Sequence, residues 1–261
     1  MTRFSCPVTP QLHPSEVPLS YTPISPETRE RLSRVSTATI STQLYRRGFR
    51  QRFMVGLKPL STEAKGFVGH AFTMRHIPMR EDIDDGRALP NDKSLQWQAV
   101  ESVGPGEAIV IDSMNDITAA SMGDMLVTRT MMRGAAGVVT DGAFRDGPVI
   151  AGLGFPAYAR AMTATTRPAT FHVADIQVPI GCAGVAVYPG DVVVGDREGV
   201  IVIPRHLAEE VAEKALAQEE LEDWLHKKVR GGAALWGVYP PNAETIAEYK
   251  AWREANKGKA S

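Results

Sequence analysis

The chain has 261 residues, 43% hydrophobic and 23% charged, which fits a soluble globular protein with one large domain and excludes a disordered, collagenous or coiled-coil chain. Its 29 Lys and Arg against 30 Asp and Glu give a net charge of −1, so no global field draws in nucleic acid or an anionic membrane. Cys6 and Cys182 are too few for a disulfide framework or a cysteine metal site, and no apolar run approaches the roughly 18 residues of a spanning helix.

Residues 1–26 carry Pro7, Pro10, Pro14, Pro18, Pro23 and Pro26 and lack the apolar core of a secretory signal, so they read as an extended arm on a cytoplasmic protein. From Ser25-Pro26-Glu27-Thr28 the pattern turns helical, with Leu32, Val35, Ile40 and Leu44 as core positions and Gly48 as the stop. Further on, Ala108-Ile109-Val110-Ile111-Asp112 and Gly137-Val138-Val139-Thr140-Asp141 are short β-branched runs. A helix-like segment from about Ser121 to Arg133 lies between them, which makes a βαβ unit. Pro105-Gly106, which opens the first run, returns as Pro189-Gly190 before Val192-Val193-Val194, and each pair presets a tight turn into a strand. Arg197-Glu198-Gly199 followed by Val200-Ile201-Val202-Ile203 signals a hairpin. Beyond Pro204, Leu207 to Val229 repeats apolar residues at helical spacing, and a last short helix is expected at Ala243–Ala255.

The chemistry concentrates in two places. Asp124 falls in the first turn of the middle helix, where unpaired N–H groups and the helix dipole favour a carboxylate or a bound anion. Arg145 and Asp146 fall just past the second strand of the βαβ unit, where open α/β sheets place their ligand loops. Arg145 offers a planar fork for a carboxylate; Asp146 offers hard oxygen ligands for a divalent cation that keeps much of its water. Singly, such residues are more often caps or surface ion pairs. As a set they point to one crevice.

Asp124, twenty intervening residues and Arg145-Asp146, within Gly134-Ala135-Ala136-Gly137-Val138-Val139-Thr140-Asp141-Gly142-Ala143-Phe144-Arg145-Asp146, resemble the D-x20-R-D signature of the class II pyruvate aldolases. These enzymes cleave 4-hydroxy-4-methyl-2-oxoglutarate and 4-carboxy-4-hydroxy-2-oxoadipate and share a family with the regulator of ribonuclease activity A. Tyr188 to Pro204 is similar to that family's second signature, and Ser36-Thr37-Ala38-Thr39-Ile40-Ser41 to its N-terminal helix, although Thr42-Gln43 departs from the usual pattern. The resemblance implies an α/β fold, an α-β-β-α sandwich assembled as homotrimers or hexamers. The α/β catalytic domain would span 27–205, between the arm at 1–26 and a C-terminal helical extension at 206–261. It further implies that Asp146 ligates Mg²⁺ or Mn²⁺, that Asp124 holds water on that metal, and that Arg145 with the backbone near Met125 and Leu126 binds the pyruvyl group. Glu198 corresponds to an acidic residue lent by a neighbouring subunit. The implied activity is aldol cleavage of a 4-hydroxy-2-keto acid to pyruvate, with oxaloacetate decarboxylation beside it. The alternative is a non-catalytic regulator docking on an RNA-processing enzyme.

Other residues read as structural. His70 and His76 lack a third ligand for zinc, Asp82, Asp84 and Asp85 form a solvated acidic loop, Cys182 is a small core residue, and Met131 and Met132 fill core gaps. Arg167, after Thr165-Thr166, is a surface residue in this reading, with recognition of a distal carboxylate as the other possibility.

Overall fold

A computed structural model of the protein describes residues 21–63, 65–84 and 91–256. Most of the proline-rich arm, Cys6 and Asp85 lie outside the described residues. The first helical stretch is two helices, α1 (Pro26–Ser33) and α2 (Thr37–Arg46). Ser25 accepts from the Thr28 N–H at 3.0 Å and Ser36 from the Thr39 N–H at 3.1 Å, so a second polar cap inside the apolar period restarts the helix. Gly48 follows α2 with φ of 87°, a left-handed position that glycine occupies without a Cβ clash.

The main sheet is built on one long strand. Its members are β1 (Lys58–Pro59), β2 (Phe67–Pro78), β3 (Glu107–Asp112), β5 (Gly137–Thr140), β7 (Ala157–Ala159), β9 (Phe171–Ile176), β12 (Val192–Gly195) and β13 (Val200–Ile203), and between them β4 (Ala120–Met122), β6 (Ala143–Phe144) and β8 (Ala161–Met162) form a second, smaller sheet. The main order is β1-β7-β5-β3-β2-β12-β13, with β9 paired to the far half of β2. The expected βαβ unit is present: β3 and β5 are parallel, with Ala108 opposite Gly137, and α4 (Asp124–Met132) connects them. That helix starts three residues later than expected, because Ala120–Met122 pairs with β6 and is a strand.

Both Pro-Gly turns do as expected. Gly106 and Gly190 take φ of 80° and 83° and launch β3 and β12, which flank β2 so that His70 stands opposite Glu107 on one edge and Val192 on the other. The β12–β13 hairpin is also as read, with Val192 opposite Ile203.

Alternation along these strands decides the layers. Ala108, Val110, Val139, Val193, Val200 and Val202 turn inward with Met54, Leu57 and the hairpin of β10 (Ile180–Cys182) and β11 (Val185–Val187). Ile109, Ile111 and Val138 turn outward onto α3 (Leu95–Ser102), α4 and α5 (Gly147–Gly152). On the other side Val192, Val194, Ile201 and Ile203 turn outward onto α1, α2 and the start of α6 (Ala208–Arg230). The result is the expected mixed α/β fold, helices outside a sheet that curls into a nearly closed barrel. Lys58 Nζ, which donates to the Glu198 carbonyl at 2.7 Å, and a bridge from Phe53 to Ile201 draw its edges together. Each Val or Ile sequestered this way contributes about 1.5–3 kcal/mol.

The two C-terminal helices are found where expected, as α6 and α7 (Ala243–Ala255). Trp224 and Leu225 of α6 pack with Val238 and with Tyr249 of α7, while Trp236 between the helices is 92% exposed. No described helix is long and apolar enough to cross a membrane.

Candidate active site

The three strands of the small sheet run parallel in the order β4-β6-β8, and the residues of interest follow their carboxyl ends. Gly123 and Asp124 come directly after β4, Arg145 and Asp146 directly after β6, and Thr163 after β8. The main-chain ladder continues past the strands: the Arg145 N–H donates to the Met122 carbonyl at 2.9 Å and the Thr163 N–H to the Phe144 carbonyl at 3.0 Å. The crevice therefore belongs to a sheet too short for its strands to be recognised, and β6 separates Arg145 from the end of β5, which the sequence placed next to it.

Asp124 opens α4 behind Gly123, which offers no side-chain cap, and its Oδ1 accepts from the Met125 N–H at 2.8 Å. Asp146 precedes α5 in the left-handed region, φ 60° and ψ 34°, which short polar side chains tolerate better than most others. This conformation turns the carboxylate back: Arg145 Nε donates to Asp146 Oδ2 at 3.1 Å, and a Cβ on Gly123 would stand 3.1 Å from the same oxygen. Glycine before Asp124 thus leaves room for Asp146. The Arg145 and Asp146 side chains stay 44% and 36% exposed, so their mutual ion pair is worth little in stability.

A pocket of about 210 Å³ is lined by Gly123, Asp124, Met125, Leu126, Arg145 and Arg167, with Gln96 and Trp97 of α3. Arg145 also borders an adjoining hollow shared with Asp146, Met162 and Thr163. The structure thus brings Asp124, Met125, Leu126 and Arg145 to one pocket and Asp146 to its edge. Glu198 is not among them. It sits at the tip of the β12–β13 hairpin and lines neither of these hollows within one chain; its N–H donates to Asp196 Oδ1 at 2.8 Å.

A polar layer supports the small sheet. Ser121 Oγ on β4 lies 2.6 Å from Thr140 Oγ1 and 2.8 Å from Ser113 Oγ, and Thr140 Oγ1 accepts from the Gly142 N–H at 3.0 Å. His76 Nδ1 meets Ser113 Oγ at 3.0 Å, and its ring stacks on Phe171. Burial first, then the charges of Arg167 and His172, pushes His76 down to about 3, so the ring is neutral. Asp141, fully buried, accepts backbone N–H groups from Ser113, Asn115 and Ala183 at 2.6, 3.2 and 3.1 Å, and burial still raises its carboxyl above the usual range.

The sequence missed Gln96, Trp97 and this hydroxyl layer. A glutamine only 6% exposed announces itself by its hydrogen bonds, which local sequence does not carry. Among the other candidates, His70 and His76 are both buried but serve separate clusters, and no group of three or more His, Cys, Asp or Glu able to hold a metal occurs among the described residues. Cys182 is a free, fully buried core thiol, as expected. Asp82 and Asp84 are tied to Arg80, and Asp84 also to His172. Met131 packs against the core, but Met132 is 68% exposed, one position round the helix from the buried face. Arg167 is half-buried in the pocket wall rather than on the open surface.

Comparison with known proteins converges on the same segment. The family model described as RraA-like, Aldolase/RraA, matches residues 37–202. A Halalkalibacterium halodurans protein provisionally named 4-hydroxy-4-methyl-2-oxoglutarate aldolase is 42% identical over 124 residues; the match covers 48% of this chain and 59% of the relative's length. An Ectopseudomonas mendocina protein of the same provisional name is 34% identical over 119 residues, covering 45% of this chain and 72% of that protein. Among solved structures, Streptomyces coelicolor RraAS2, described as an unusual member of the RNase ES inhibitor RraA protein family, superposes with a TM-score of 0.70 at 30% identity, over 78% of this chain and 98% of its own. A Pseudomonas syringae protein gives 0.71 at 25% identity, over 84% and 100%.

Proposed function

The chain belongs to the RraA-like, Aldolase/RraA family, and on that premise we propose that its pocket cleaves a 4-hydroxy-2-keto acid to pyruvate and a second carbonyl compound with the help of a divalent cation. The observation that supports this most is the convergence of Asp124, Arg145 and Asp146 on one crevice from two separate strand ends.

The donor set fits Mg²⁺ or Mn²⁺. Two carboxylates sit beside a glycine whose missing Cβ leaves space, with no cluster of three soft or nitrogen ligands among the described residues, as suits a hard ion that keeps most of its water and not zinc. Asp146 would hold the ion directly and Asp124 through water. When bound, the cation supplies Lewis acidity for the 2-keto acid as negative charge develops beside its carbonyl. Arg145 takes the substrate carboxylate in its planar fork, together with main-chain N–H groups in the first turn of α4 near Met125 and Leu126. Asp124 moves the proton, taking it from the 4-hydroxyl through an intervening water. The C3–C4 bond breaks, its electron pair passing to the pyruvate fragment, and the proton returns to C3. Loss of carbon dioxide from oxaloacetate leaves the same fragment, so decarboxylation is the expected companion activity. Glu198 would reach the pocket from a neighbouring protomer in a homotrimer or hexamer.

A screen of 4-hydroxy-2-keto acids and oxaloacetate, with pyruvate detected through a coupled assay, tests the reading: pyruvate release from at least one of them is expected. Inactivity on all of them, combined with stable association with an RNA-processing enzyme, would favour the regulator reading, which the kinship with the Streptomyces protein keeps in view.

A further inference from the structure

Two of the strands that end at the site rest on the same buried hydroxyls. Ser121, whose Oγ lies 2.6 Å from Thr140 Oγ1, comes just ahead of Gly123 and Asp124 on β4; Gly142, whose N–H donates to Thr140 Oγ1 at 3.0 Å, comes just ahead of β6, Arg145 and Asp146. Main-chain pairing leaves the relation between these strands loose. Ala120 stands opposite Ala143 and Met122 opposite Phe144, but the register shifts between the two pairs, which is where Ser121 lies. The Ser121 carbonyl accepts from Gln96 Nε2 of α3 at 2.7 Å, away from the small sheet. Its hydroxyl is what ties the irregular point of β4 to the main sheet.

The direction of the hydroxyl chain follows from its donors. Thr140 Oγ1 accepts from Gly142, so along the shortest contacts its hydrogen goes to Ser121, the Ser121 hydrogen to Ser113 Oγ at 2.8 Å, and the Ser113 hydrogen to Nδ1 of the neutral His76 at 3.0 Å. Thr140, Ser121 and Ser113 are 0% exposed and His76 is 1%. There is no slack on the side of β6 either: a Cβ on Gly142 would stand 2.8 Å from Ser113 Cβ and 2.9 Å from both Ser121 Oγ and the Asp116 carbonyl oxygen. The link between β5 and β6 therefore lies directly on the hydroxyls. A buried, directional chain of this kind specifies one arrangement of the strands that it joins.

We infer that the hydrogen bond between Thr140 and Ser121 sets the register of β4 against β6, and so places Asp124 relative to Arg145 and Asp146. Thr140 and Ser121 are then positioning residues, acting through Asp124 without touching the substrate. This rests on the metal-dependent reading of the same site.

The test uses Thr140→Val, which keeps the shape and removes the hydroxyl, with Thr140→Ser, which keeps the hydroxyl, as its rescue. In the pyruvate assay Thr140→Val should lower kcat by about 10-fold and raise the Mg²⁺ concentration for half-maximal activity by about 10-fold, with KM for the keto acid within about 2-fold. Thr140→Ser should restore both values to within about 2-fold. Ser121→Ala should act in the same way and covers the case in which the valine variant does not fold, and the double variant should be no worse than the poorer single one, since both break one contact. A lower thermal midpoint with kcat and Mg²⁺ dependence unaltered would show a merely structural role and overturn the inference, as would a serine variant no better than valine. Mn²⁺ binding, followed by electron paramagnetic resonance without substrate, separates this inference from the reading beneath it. If the wild-type protein releases no pyruvate from any 4-hydroxy-2-keto acid, the aldolase reading fails, while weaker Mn²⁺ binding in Thr140→Val that returns in Thr140→Ser still supports the positioning role. Equal Mn²⁺ affinity in all three proteins, or none in the wild type, overturns it.

Discussion

The amino end of the parallel strands β3 and β5 and the carboxyl end of the small sheet β4-β6-β8 treat their titratable side chains in opposite ways. At the amino end, His70 accepts the Ile24 N–H on Nε2 at 3.1 Å, which leaves its Nδ1 to donate to the Gly190 carbonyl at 3.0 Å. Tyr21 covers the His70 ring and donates its hydroxyl to Glu107 at 2.8 Å, and Glu107 takes the Gly104 N–H as well. Each of these groups is buried and its hydrogen-bonding capacity is used within the chain. At the carboxyl end Asp124, Arg145 and Asp146 keep open faces and contact little beyond one another and their own main chain. Charge alone does not separate the two sites. What separates them is whether the protein itself satisfies the group, and this is why the first end reads as architecture and the second as a place for a ligand.

Substitutions at each end put that contrast at risk. The largest effect is expected from Asp146→Asn, which keeps a residue tolerant of left-handed backbone but removes the charge: pyruvate-forming turnover should drop by roughly 100-fold or more while the thermal midpoint stays within a few degrees. Unfolding of that variant, or full activity, would blur the contrast. At the other end Tyr21→Phe removes a hydrogen bond to a buried carboxylate and should cost about 2 kcal/mol in urea denaturation, leaving kcat/KM as it was.

The third effect is graded with pH. His70 and His76 are held neutral in the fold, both pushed down mainly by burial, His70 also by Arg29 and Arg205. Unfolded, each takes up a proton near pH 6.5, so the unfolded state binds more protons below that pH and stability falls as the solution is acidified. For His76 the loss runs from about pH 6.5 toward about 3, with a limiting slope of about 1.4 kcal/mol per pH unit. His76→Phe should flatten the stability curve over that range by up to this amount, and an unaltered slope would show that His76 does not carry it.

Local patterns made much of this molecule legible. The β-branched runs of β3 and β5, the two Pro-Gly turns, the β12–β13 hairpin and the helices α6 and α7 each declare themselves within a dozen or so residues. The strands that build the site do not, because β6 and β8 are two residues long and β4 three, too short for alternation to show. Ser36 looked like one more polar position in a helix and is a cap. The Asp124, Arg145 and Asp146 set was visible as a spacing, whereas Gln96, Trp97 and the Ser113, Ser121 and Thr140 hydroxyls join it only through pairings that the tertiary fold creates. Arg167 was visible as a residue but not as a pocket wall, since its depth depends on Gln96 and Phe171.

The most direct measurement is pyruvate formation by the purified protein from its best 4-hydroxy-2-keto acid after EDTA treatment, before and after adding Mg²⁺. Activity should vanish with the chelator and return with the ion in the wild-type protein, and should not return in Asp146→Asn. Turnover indifferent to both EDTA and Mg²⁺ would contradict the account.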